Sequence, residues 1–397
     1  MIKSAVLATS ALFVHAFGIF ALNERIEPFI YHFYSISWWS YIFFLDAILS
    51  FKRGKFLVIN KRLPYLVLIS CAFWCMFELI NLRLGNWFYI NLPDRRSYRY
   101  LGYLIAFGTV IPGIYITAEA IHRFVGDIPI RPLSLRGHVS FLFISGFVAL
   151  VLALALPRYL FPLAWVFLIP ILDVINYRAG HPSIIADLEK GRAGGIIATI
   201  LGGMVCGFLW ESWNYWAISK WVYTVPFFEG AKLFEMPLLG YAGFAFFAFE
   251  AIGFFHFFNE GRLFRSHPLL IVSAAVICCL CAFLLMERHT VFSYLATIDK
   301  IPVISDSNRA NFARKGIQSS YAVDRSVLSP YERGFLDLME LKGLGLEHTL
   351  QLYGRGIQKR DDLSRLSPAE LCAIIHESQP RRCTVFVRAA GKPAPGY

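Results

Sequence analysis

Long apolar runs constrain this chain more than any other feature. Stretches of about 18 or more residues with few charges recur over its first three-quarters, each long enough to cross a hydrocarbon core of roughly 30 Å. Backbone inside lipid must satisfy its own polar groups, so such runs fold as helices. Nine spans are expected, at 4–22, 33–50, 63–82, 101–122, 139–157, 159–177, 194–218, 236–258 and 268–286. Only 16% of residues are charged, against roughly 25% in an average soluble chain. The expected class is an all-α, multi-pass integral membrane protein, with a bacterial inner membrane as its location. The first run follows a basic Lys3, as a signal peptide would, but no small-x-small cleavage site precedes Asn23, so a retained span is expected.

Charge sets the orientation. Loops after the even-numbered spans hold 13 Lys/Arg, and loops after the odd-numbered spans hold eight. Basic loops stay on the cytoplasmic side. Nine spans then send the C-terminal tail to the outside. The net charge of +11 therefore reads as anchoring to an anionic leaflet rather than as nucleic-acid binding.

The apolar part repeats itself. LDAILSFKRG from Leu45 answers LDVINYRAG from Leu172, and FELINLRLGNWFY from Phe77 answers WESWNYWAISKWVY from Trp210. AEAI at Ala118 answers FEAI at Phe249, and RGH at Arg136 answers RSH at Arg265. An even number of spans per copy predicts two parallel four-helix repeats about a pseudo-twofold axis along the membrane normal, plus one extra helix, with a cavity between them. The segments are 1–32 (first helix and loop), 33–158 and 159–287 (the repeats), 288–328 (linker), 329–378 (a small soluble helical domain) and 379–397 (a disordered end).

Six acids sit at matched places in or beside spans: Asp46 and Asp173, Glu78 and Glu211, Glu119 and Glu250. A charge near the bilayer centre costs about 2.5–3.5 kcal/mol, so such residues mark function or are bonded to neighbouring helices. Glu78 and Glu211 each stand three residues before an asparagine, Asn81 and Asn214, on one helix face. These four residues are the candidate catalytic set. Trp210 and Trp213 beside Glu211 are candidates for a cation–π wall. With the remaining four acids they form the candidate substrate-binding set. Trp87 and Trp221, each followed by a tyrosine, fit an interfacial aromatic belt.

The run FELINLRLGNWFY, then a polar loop and an apolar span, resembles a repeat of the membrane-integral lycopene cyclase domain of carotenoid biosynthesis. Leu84-Gly85-Asn86-Trp87-Phe88 is similar to that family's Gly-x-Trp-x-Phe-like turn, and the helix start after Phe234 is similar to its Pro-Leu-Glu-Glu-like start. Here Leu238-Leu239-Gly240 stands where the family has paired glutamates. The resemblance, over roughly 33–286, implies a shared fold and a lipid or isoprenoid pocket rather than a shared reaction.

The end of the chain resembles a helix-hairpin-helix module, with Leu341-Lys342-Gly343-Leu344-Gly345 as the hairpin and Ser367 and Pro368 opening a later helix. Hairpin glycines let backbone approach a phosphate. Lys342, Gly343, Gly345, Arg355, Lys359 and Arg360 are candidate contacts to a protein partner or to nucleic acid. The eight cysteines suggest no disulfide framework, and none has zinc-ligand spacing with histidine, so no metal or cofactor is expected. Three functions remain open: a lipid or isoprenoid binder or acid catalyst of the cyclase or isomerase type, a transporter or channel, and a tether whose tail binds a partner.

Overall fold

The computed structural model describes residues 1–227, 231–260 and 266–392. Arg265 of the repeated RSH and the extreme end 393–397, expected to be disordered, lie outside the described residues. An apolar bundle comes first: α1 (Ile2–Asn23), α2 (Phe33–Arg53), α3 (Leu63–Leu84), α4 (Arg96–Phe107), α5 (Val110–Val125) and α6 (Val139–Ala155). It continues through α7 (Pro157–Leu160), α8 (Leu168–Ala179), α9 (Ile184–Glu189), α10 (Gly194–Trp216), α11 (Tyr241–Glu260) and α12 (Pro268–His289). The tail holds α13 (Asp306–Arg314), α14 (Pro330–Met339), α15 (Leu346–Tyr353), α16 (Arg360–Ser364), α17 (Pro368–Ile375) and α18 (Pro380–Ala390).

Among the described residues, eight helical stretches are long and apolar enough to cross a membrane, which is compatible with a multi-pass membrane protein. Nine spans were expected. The run at 33–50 does form a helix of 21 residues, α2, but it is rich in Ser, Tyr and Trp and is not among the eight. It packs between α1 and α5.

Two short strands lie at the centre. Gly85, at φ +58°, ends α3 with its N–H on the Asn81 carbonyl at 2.7 Å, and the chain turns straight into β1 (Trp87–Ile90). Its counterpart β2 (Lys220–Tyr223) follows α10, and the two pair antiparallel. Trp87 faces Tyr223, Phe88 faces Val222, and Tyr89 faces Trp221. Trp87 and Trp221 hold the same place in the two sequence copies, as do Tyr89 and Tyr223, so this register is symmetric about the Phe88–Val222 pair.

Successive strand residues point to opposite faces. Trp87 and Tyr89 therefore join the bundle core, while Phe88, Ile90 and Val222 enter the core of the tail. The chain leaving α12 runs parallel to β1, with Tyr89 N–H on Thr290 O at 2.8 Å and Leu92 N–H on Ser293 O at 3.1 Å. Bundle and tail thus share a sheet.

The tail differs from expectation at both ends. Segment 288–328 is no loose linker, because Ile298, Ile301, Ile304, Phe312 and Val323 are buried with Phe335 and Leu336. Residues 380–390 form α18, whose Phe386 is fully buried. Cys372 and Cys383 form a disulfide between α17 and α18, where no disulfide was expected. Ser367 caps α17 in a capping box with Glu370, with Pro368 in its first turn.

Candidate functional site

Glu78 and Glu211 are both fully buried near the C-terminal ends of α3 and α10. Glu78 Oε1 accepts hydrogen bonds from Tyr89 Oη at 2.5 Å and from the indoles of Trp74 and Trp87, each at 2.9 Å. Glu211 Oε1 accepts from Tyr223 Oη at 2.7 Å. The second oxygen of each carboxyl is buried without a partner. Burial, then the neighbouring carboxylate, pushes both phenols well above their ordinary range, so Tyr89 and Tyr223 remain donors.

The two asparagines grip the strands. Asn81 Nδ2 donates to Trp87 O at 2.9 Å and its Oδ1 accepts from Asn86 N–H at 2.8 Å. Asn214 does the same to Trp221, at 3.0 Å to its carbonyl and 3.1 Å from its N–H. Both residues are strand clamps rather than cavity groups.

Two cavities flank this centre, sharing Trp74, Trp210 and Trp221 as a wall. The larger, about 330 Å³, is lined almost wholly by apolar and aromatic groups, including Trp87, Trp165, Phe244 and Phe247, with Tyr223 among its few polar ones. The smaller, about 100 Å³, holds Tyr89 with Arg99, Lys220 and His32. One common chamber was expected. Instead, Glu211 stands behind Tyr223 of the larger cavity, while Glu78 stands behind Tyr89 of the smaller and Trp87 of the larger. Trp87 and Trp221 line cavities instead of forming an outer belt, because the indole of Trp87 is drawn inward to Glu78 and Trp221 is held by the strand pairing.

The other proposed substrate contacts separate. Trp210 stands 5.4 Å from Trp74 in the shared wall, whereas Trp213 packs away from it, 4.9 Å from Trp38. Asp46 is fully buried and accepts from the N–H groups of Leu57, Val58 and Ile59. Asp173 accepts from Ile184 and Ile185 N–H, at the equivalent offset of 127 residues. Both acids hold the loop after their helix. Glu250 is fully buried and accepts from Leu168 N–H at 3.0 Å. Glu119 pairs with Arg53 and lines, with Asp173, a third cavity of about 220 Å³ that also holds His122 and Asp187.

The hairpin in the tail is occupied from within the chain. Lys342, Gly343 and Gly345 all have positive φ. A Cβ at Gly343 would lie 2.8 Å from Ile90 Cβ, and one at Gly345 would lie 2.7 Å from Ser293 Cβ. Ser293 Oγ donates to Gly343 O at 2.6 Å, and Lys342 pairs with the buried Glu235. These residues dock the tail onto β1. Arg360 donates to carbonyls of Ala389 and Lys392, and Arg355 and Lys359 alone of the set are exposed.

Sequence reasoning missed three things. The thiols of Cys71, Cys75 and Cys279 lie within 4.8 Å of one another, the one group among the described residues close enough to hold a metal ion. None of the cavities described above reaches them. Glu235 as a tail anchor carries no periodic signal. Gly203 and Gly207 form a Gly-x-x-x-Gly step, a visible cue to close helix packing, and both abut α11.

Comparisons with protein families, curated proteins and solved structures return no match for this chain.

Proposed function

We propose that this chain is an integral membrane protein of two parallel four-helix repeats plus α1, and that it binds a lipid or isoprenoid in its larger aromatic cavity. The observation carrying this reading is the Glu211–Tyr223 pair set beside a cavity otherwise walled by aromatic rings. Such a cavity favours an apolar guest by burial of its surface, with a few polar groups to orient it. Tyr223 faces the guest, and Glu211 orients Tyr223 by accepting its hydroxyl hydrogen. The shared indole wall favours a guest that carries or develops positive charge. The resemblance to lycopene cyclase repeats supports the same class of guest. Leu239 and Gly240, at the place of that family's paired glutamates, line the cavity as apolar groups, so that family's acid pair has no counterpart here.

The cavity can be filled without disturbing its walls, because a Cβ at Gly243, a lining residue, would meet nothing within 4 Å. Purified wild type is expected to carry an apolar lipid detectable by mass spectrometry of its organic extract. Gly243→Phe is expected to lose it while unfolding at the wild-type temperature. A folded Gly243→Phe protein that keeps the lipid removes the binding site. Tyr223→Phe and Glu211→Gln test whether the pair acts on the guest, and a host lipid profile unchanged by both leaves binding without chemistry.

A further inference from the structure

At the end of the bundle opposite the tail lies a cavity of about 490 Å³ between the α2–α3 loop, the first turns of α3 and the last turns of α11. Its rim carries Lys55, Lys61 and Arg62, and its floor includes Leu66, Ile69 and Phe258. No Asp or Glu lines it among the described residues. Among the described residues Lys55 and Lys61 have no ion pair there, and the Arg62 guanidinium makes a long bond, 3.4 Å, to Asn259. The 22-residue α3 begins at the same rim with no side-chain cap, so its positive end adds to the three charges. The third cavity, built on the equivalent loop of the second copy, is lined instead by Glu119, Asp173 and Asp187. Of the two cavities, the first copy's has the cationic rim.

We propose that this groove is a binding site for one anionic phospholipid, its phosphate held by Lys55, Lys61 and Arg62 and one acyl chain laid over Leu66, Ile69 and Phe258. Resting on the membrane reading above, the site lies at the level of the cytoplasmic headgroups, because its loop is the most basic of the chain. A rim of cations over an apolar floor suits an amphiphile better than a free anion. Basic pockets between spans on that side take anionic headgroups in this way.

The test uses the full chain in nanodiscs of phosphatidylcholine, with and without a minor fraction of phosphatidylglycerol, read by native mass spectrometry and by thermal unfolding. Phosphatidylglycerol is expected to remain bound and to raise the unfolding temperature of wild type, while inorganic phosphate does neither. Lys55→Ala/Lys61→Ala is expected to lose retention roughly tenfold, while unfolding like wild type in pure phosphatidylcholine. Arg355→Ala/Lys359→Ala, which removes the same charge from the tail, is expected to retain the lipid. Equal loss in both double variants, or stabilisation by phosphate alone, overturns the site. A chain that fails to enter nanodiscs at all defeats the membrane reading first.

Discussion

At the residue scale, the acids and amides of the apolar helices divide by what they hold. Asn81 and Asn214 each satisfy the backbone of a strand that would otherwise leave donors and acceptors buried. Asn81→Ala and Asn214→Ala should each cost about 1–3 kcal/mol, read as a drop in thermal midpoint with a matching change in tryptophan fluorescence. Tyr89→Phe should affect the larger cavity far less than Tyr223→Phe, since Tyr89 lines the smaller one. A lipid bound equally weakly by both variants would place the guest elsewhere.

At the element scale, close approach and strand alternation decide the packing. A Cβ at Gly203 would lie 2.4 Å from the Phe244 carbonyl, and one at Gly207 would lie 2.3 Å from the Phe244 ring. Gly203→Leu should therefore cost roughly 1–3 kcal/mol or more by forcing α10 from α11, whereas Gly102→Leu, in open space, should be near neutral. Denaturation midpoints of the two variants provide the check. In β2, Val222 points into the tail and its neighbours into the bundle. Val222→Asp should release the tail, seen as new protease cleavage between 290 and 392, while lipid retention in the larger cavity survives.

At the scale of the whole molecule, the tail is latched to the bundle by charge as well as by sheet. Burial pushes the Glu235 carboxyl up, but Lys342, Lys220 and Lys232 more than offset this and hold it below the ordinary glutamate range. A depressed carboxyl stabilises the folded form above its unfolded pKa, and that contribution disappears as pH falls through the folded value. Burial and Lys342 push Lys220 down to about 8 from 10.5, so its cost is full below about 8 and fades as pH rises to 10.5. Tail docking, followed by limited proteolysis, should thus loosen below about pH 4 and tighten modestly between pH 8 and 10.5. The Cys372–Cys383 disulfide suits an oxidising compartment. An outside tail, expected from nine spans and the basic loops, would meet that condition, and a C-terminal alkaline phosphatase fusion should then be active. An inactive fusion beside a fluorescent GFP fusion would reverse the orientation.

Helix class and the matched acids were legible in the chain itself, because apolar runs and fixed offsets are local patterns. The asparagine spacing and the Ser367 cap were legible for the same reason. Which acid serves a cavity and which holds a loop was decided only in three dimensions. Asp46 and Glu78 look alike in sequence, yet one meets three backbone N–H groups and the other three aromatic donors. Glu235 and Lys342, 107 residues apart, meet because the sheet joins bundle to tail, and Cys372 meets Cys383 because α17 packs against α18. Burial and pairing arise from contacts between distant segments, and no local periodicity encodes them.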